Sequence, residues 1–118
     1  MLERDACPDE PLPRKGAPQG RHAHALLAKG QQVLETLFPG LTQHLLDQGA
    51  PRGHGRFFSA GGYLHPLKAG PGGLFVSRPL LETAVRARLR ALPNVYLVER
   101  CSVPGLTADK GRTRIGGV

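Results

Sequence analysis

At 118 residues, 40% of them apolar, the chain is long enough for one small domain with a modest core and too apolar for a disordered one. Its net charge of +7, most of it from arginine, points to an anionic partner or to a solvated basic surface. No apolar run approaches the ~18 residues of a membrane span, and no apolar segment of secretory type opens the chain, so a cytoplasmic protein is expected. Met1 to Asp5 reads as the last residues of a strand. Cys7 to Pro18 holds Pro8, Pro11, Pro13 and Pro18 and is expected to be an extended loop, because proline fixes φ and pushes its predecessor out of the helical region. From Ala23 the apolar positions Leu26, Leu27, Val33, Leu34, Leu37 and Phe38 recur at helical spacing, and Pro39-Gly40 stops that helix. A second, shorter helix carries Leu41, Leu45 and Leu46 inward and closes at Gly49.

Between residues 50 and 73, glycine and proline punctuate the chain, with short strands expected at Arg56–Ser59, Tyr63–Leu64 and Leu74–Val76. Ser77 caps a third helix with Pro79 in its first turn, and Leu81, Ala84, Val85, Leu89 and Leu92 lie on one side of it. Pro93-Asn94 ends that helix. Val95 to Val98 is expected to be a buried strand, Pro104-Gly105 turns the chain, and Arg112 to Val118 begins another strand. The helix-to-strand link at Leu92-Pro93-Asn94 is typical of α/β folds.

The segment from Arg14 to His24 combines arginines, glycines and a following helical pattern. Glycine lets backbone amides approach a ligand, arginine offers a planar fork to phosphates, and a helix start favours anions. Cys7 and Cys101 form no CxxC pair or metal spacing and read as free thiols of a reducing compartment. His22 and His24 would point about 200° apart on a helix and cannot chelate one metal from one face, while His44, His54 and His65 are scattered in sequence. No metal is therefore expected, and a loop histidine here is expected to bond backbone. Arg78, Arg86, Arg88 and Arg90 decorate the third helix, with Arg86 and Arg90 at a repelling i,i+4 spacing; a solvated face is the simpler reading for most of them. Gly61-Gly62 and Gly70-Pro71-Gly72-Gly73 lack the strand-before, helix-after context of a phosphate loop and read as turns.

Taken in order, Leu2-Glu3-Arg4-Asp5, the loop from Arg14 through Leu27, Leu37-Phe38-Pro39-Gly40, Ser77-Arg78-Pro79-Leu80-Leu81-Glu82 and Leu92-Pro93-Asn94-Val95 resemble FAD-dependent monooxygenases. The resemblance is to the bacterial branch related to aromatic-ring hydroxylases and squalene epoxidases, and it covers nearly the whole chain. It implies an α/β fold: a partial FAD-binding Rossmann-like domain over 1–118 that lacks the first strand and the GxGxxG turn, with residues 50–76 beginning a substrate-facing insertion. By resemblance, Glu3 would accept hydrogen bonds from ribose hydroxyls, Arg4 would lie beside adenine and Arg14 would reach toward the cofactor. Arg78 and Arg86 would be contacts from the third helix, and Ser102 a contact near adenine.

The intact enzyme of this kind would take electrons from NAD(P)H and insert an oxygen atom into a small organic substrate. A dehydrogenase or reductase of the same superfamily is a related option. A chain without the phosphate-binding turn is expected to hold FAD poorly and to be inactive alone, as a flavoprotein fragment incomplete at both ends. No side chain here is assigned as catalytic acid or base. A basic nucleic-acid-binding module is the alternative of another class, opposed by the scarcity of aromatic residues and of any binding motif. A non-catalytic remnant protein is a third.

Overall fold

A computed structural model describes residues 1–22, 24–53, 58–64 and 73–118. It contains both helices and strands, so the expectation of a mixed α/β fold holds at that level. Three α-helices are present among the described residues: α1 (Ala28–Leu37), α2 (Leu41–Asp47) and α3 (Arg78–Arg90). A 3-10 turn covers Pro18–Arg21. None of these helices is long and apolar enough to cross a membrane.

The first helix begins at Ala28 rather than Ala23. Ala25–Leu26 instead form a short strand, β1, antiparallel to β5 (Gly73–Phe75), with Leu26 opposite Leu74. Leu26 therefore packs from a strand, and the apolar spacing that includes it merges two elements. β2 (Arg52–Gly53) pairs with the other edge of β5, giving a three-stranded sheet of order β1-β5-β2. β1 passes close to Gly73: a Cβ there would lie 2.8 Å from the Leu26 carbonyl oxygen.

The core forms where this sheet meets α2 and α3. Leu41, Leu45 and Leu74 are fully buried, and Ala50, Val76, Leu81 and Ala84 surround them. Leu41 and Leu45 stand four residues apart on one face of α2, which is why the spacing revealed them. The helix closes through Gly49 at φ +87°, a left-handed position that suits glycine. Its start is held from α1: the Glu35 carboxylate accepts the backbone N–H groups of Gly40 at 2.6 Å and Thr42 at 2.8 Å. The third helix starts as its sequence predicts, with Ser77 Oγ accepting the Leu80 N–H at 3.3 Å and Pro79 in the first turn.

Met1–Glu3 runs parallel to the segment ending at Val98. The Glu3 N–H donates to the Val98 carbonyl and the Val98 N–H to the Met1 carbonyl, both at 2.9 Å, around a Leu2–Val98 bridge. The expected strand end at Met1–Asp5 and the expected strand at Val95–Val98 thus meet. The second is not buried, however: Tyr96 is 77% exposed and Val98 48%. Alternate residues of an extended segment face opposite ways, and only the Val95 and Leu97 side is partly buried. A parallel pair ordinarily has both faces covered.

Two hairpins complete the described residues. β3 (Phe58–Ser59) and β4 (Gly62–Tyr63) join through Ala60 and Gly61, both at positive φ, as a two-residue hairpin turn requires. Gly61 is a turn residue, as expected, whereas Gly62 and Gly73, also expected in turns, belong to β4 and β5. The strand expected at Arg56–Ser59 is described only at its last two positions, and Gly70-Pro71-Gly72 lies outside the described residues. β6 (Thr107–Ala108) and β7 (Ile115–Gly117) form the last hairpin, whose connection is organised by Asp109, the acceptor for the N–H groups of Thr113 and Arg114. Residues 102–116 are all exposed, and the radius of gyration is 18.7 Å, against about 13.5 Å for a compact domain of this length.

Candidate functional site

Arg14 is the centre of the charged cluster at the end of the extended Met1–Glu3 segment. Its Nε and one terminal nitrogen bond the same Glu82 oxygen, at 3.1 and 2.9 Å. The other terminal nitrogen lies 3.1 Å from Glu3 Oε2 and 3.6 Å from Asp5 Oδ2. Glu82 also receives Arg78 Nε on its second oxygen at 2.7 Å, one helical turn away on α3. Burial acts against the Arg14 charge, yet Glu82 and then Glu3 outweigh it and raise its pKa. Burial likewise pushes the Glu82 carboxyl up, but Arg78 and Arg14 together bring it below its ordinary value.

This arrangement changes the meaning of the loop. Arg14 is surrounded by three carboxylates, so it does not stand free for a phosphate. The Gly16 N–H, which the sequence offers to an anionic ligand, donates at 2.6 Å to the Asp5 carboxylate of the chain itself. The Gly20 N–H donates to the Ala17 carbonyl inside the 3-10 turn. β1 and Leu27 separate the loop from α1, so the loop does not feed that helix's N-terminus. An anion-binding loop opening a helix is therefore not what these residues build.

Glu3 is itself oriented from two sides. Its Oε1 accepts the Asp5 N–H at 2.9 Å and its Oε2 faces Arg14, while 29% of the side chain remains exposed. Arg4 is largely exposed, with Nε 3.8 Å from Asp5 Oδ1. Ser102 is exposed and follows Cys101, whose N–H donates to the Glu3 carbonyl at 2.9 Å. The chain after the second strand thus passes beside Glu3, although the Ser102 side chain is not part of the cluster.

Arg86, expected from the sequence as a cofactor contact, is engaged by groups of the chain itself. It is 9% exposed, and one terminal nitrogen donates to the Pro8 carbonyl at 2.9 Å and to Thr83 Oγ1 at 3.1 Å. Arg90 donates to the Cys7 carbonyl at 3.1 Å and pairs with Asp9 and Glu99. Glu99 in turn accepts the Cys7 N–H at 2.8 Å, which, with Arg90, holds its pKa below the ordinary value despite partial desolvation. Two of the four α3 arginines are thus fasteners for the proline-rich loop, not a solvated basic face. Their i,i+4 spacing is tolerated because each guanidinium finds oxygen acceptors on the loop.

Under this loop lies an open cleft of about 400 Å³. Leu81, Val85, Leu89 and Leu97 give it an apolar wall, and Glu3, Arg14, Arg78 and Glu82 a charged rim. Of the histidines, His24 places Nδ1 3.2 Å from the Val76 carbonyl, the backbone bond expected of a loop histidine. His22 and His44 are exposed, and His54 and His65 lie outside the described residues. Among the described residues no group of three His, Cys, Asp or Glu side chains is placed to hold a metal ion. Cys7 is buried and Cys101 half-buried, both as free thiols. Sequence reasoning missed Glu82; its i,i+4 relation to Arg78 was visible, but nothing in the sequence joins it to Arg14.

Fold and site together define a mixed α/β protein with a partly buried charge cluster beside an isolated parallel bridge. No protein-family model matches the chain. Over 108 residues it is 36% identical to protein Rv3254 of Mycobacterium tuberculosis, an alignment covering 85% of this chain and 23% of that protein. The chain therefore spans about a quarter of the length of the curated relative it matches.

Proposed function

We propose that the chain is a portion of an FAD-dependent monooxygenase or related oxidoreductase and supplies part of the surface that meets the adenosine end of the cofactor. The observation that carries this reading is Glu3: a partly exposed carboxylate just after the parallel bridge of Leu2 with Val98, a neighbour reached directly from α3. Ligands of α/β sheets sit outside the carboxyl ends of parallel strands, and an acid there suits ribose hydroxyls.

The donor set fits adenosine better than it fits phosphate. Glu3 is held by the Asp5 N–H and by Arg14, and the adjoining cleft offers an apolar wall for a flat base. The glycine-loop amides and Arg14 are engaged by groups of the chain itself, so these residues do not supply a pyrophosphate cradle. Bound FAD would supply the redox chemistry, and the part of this chain is to orient the ribose and to shield one side of the adenine. Arg4 and the Cys101–Ser102 backbone complete that surface.

The test is an NMR titration of the 118-residue chain with FAD and, separately, with FMN, which lacks the adenosine. Weak binding of FAD, with amide shifts centred on Glu3, Arg4, Cys101 and Ser102 and none from FMN, is the expected result. No shift with millimolar FAD, or the same shifts with FMN, overturns the reading.

A further inference from the structure

We infer that Glu82 is a positioning residue: it fixes the Arg14 guanidinium so that its free terminal nitrogen meets Glu3, and it thereby sets the direction of the Glu3 carboxylate. The ligand part of this inference rests on the reading of Glu3 as the ribose-facing acid; the geometric part does not.

The argument begins with the loop. Arg14 follows Pro13 in a segment that borders no helix or long strand, so its side chain has no scaffold of its own. Glu82 has one, since it stands within α3 and its Oε1 is tied at 2.7 Å to Arg78 Nε. A guanidinium is planar and rigid, and fixing one edge fixes the direction of the rest. Glu82 Oε2 takes the edge formed by Nε and one terminal nitrogen, at 3.1 and 2.9 Å. The remaining nitrogen is then directed to Glu3 Oε2 at 3.1 Å and toward Asp5 Oδ2 at 3.6 Å. Both partners are well covered, with side-chain exposures of 15% for Arg14 and 19% for Glu82, so solvent competes little for these bonds. The line of contacts Arg78–Glu82–Arg14–Glu3 transmits the rigidity of α3 to the end of the Met1–Glu3 segment.

The sign of one measurement separates positioning from a simple charge effect. FAD is anionic, so removing the Glu82 charge by E82Q should tighten FAD binding if Glu82 acts only through its field. Positioning predicts the opposite, a weakening of about tenfold, the loss of one charge-assisted hydrogen bond. E82D should recover part of the affinity, because it restores an acceptor charge on the same helix. In an R14K background, where the fork is absent, E82Q should have little further effect. Unchanged or tighter binding in E82Q, or an equal E82Q effect in R14K, overturns the inference.

A second measurement is independent of FAD. The Arg14 Nε–H signal should exchange slowly in the unmodified chain, and should broaden or exchange rapidly in E82Q while a thermal melt shows the chain still folded. A signal that stays sharp and protected in folded E82Q overturns the positioning role. If the unmodified chain shows no FAD binding, the ribose reading has failed, and this signal alone decides the role of Glu82.

Discussion

Arg14 and Glu82, 68 residues apart in sequence, are joined by two hydrogen bonds to one carboxylate oxygen, at 2.9 and 3.1 Å. This pair ties the proline-rich loop to the first turns of α3, and its partners draw in the end of the Met1–Glu3 segment. Removing the acid by Glu82→Ala leaves Arg14 short of an acceptor in a sheltered place, and should lower stability by about 2 kcal/mol. Urea unfolding with an unchanged m-value would measure it.

The same carboxylate makes stability pH-dependent. In the fold its pKa lies below the ordinary 4.5, since Arg78 and Arg14 outweigh the burial that raises it. The unfolded chain therefore takes up that proton first as pH falls. The contribution is full above the unfolded value and is lost as pH drops through the folded one. The difference in melting temperature between the unmodified chain and E82Q should thus be largest near neutrality and shrink below pH 4.5.

Leu45 is fully buried between α2 and the sheet. Leu45→Ala should cost about 2–5 kcal/mol, the range for deleting a core leucine, with the upper end expected if the helices cannot close on the gap. Chemical denaturation gives the number, and a cost below 1 kcal/mol would contradict the packing described.

Gly73→Ala should separate β1 from β5. The added methyl carbon would stand 2.8 Å from the backbone oxygen of Leu26, an atom that moves only with its strand. Faster amide exchange at Leu26 and at its partner Leu74, without loss of the α3 signals, is the expected pattern.

Arg90→Gln should loosen the loop at its other fastening. Arg90 holds the Cys7 carbonyl, Asp9 and Glu99, and Glu99 holds the Cys7 N–H at 2.8 Å. Hydrogen exchange at Cys7 should accelerate, and alkylation of its buried thiol should become faster. The Arg14 contacts, lying toward the other end of α3, should persist.

Several of these elements were legible in the sequence because they are local. Ser77 and Pro79 announce α3, and Leu41 and Leu45 share a face of α2 at a spacing of four residues. The start of α1 was misread because Leu26 satisfies a helical period while its hydrogen bonds go to a strand distant in sequence. Burial of Val95–Val98 was misread because composition does not tell which faces find a cover.

The site divides in the same way. Glu3 at a strand end and the fork of Arg14 could be picked out as residue types in a pattern. That Arg14 faces Glu82, and that Arg86 grips the Pro8 carbonyl, depends on how a proline-rich loop lies over a helix. No period or spacing encodes that crossing.

The Asp5 carboxylate on the Gly16 N–H has a consequence for any phosphate near the loop. Asp5 is a competitor tethered by a short stretch of chain, and tethering gives it a local concentration on the order of millimolar or more. A free phosphate must displace it, and loses affinity in proportion. Asp5→Asn would weaken that resident competitor, so the glycine loop is better understood as a lock holding its own key than as a vacant receptor.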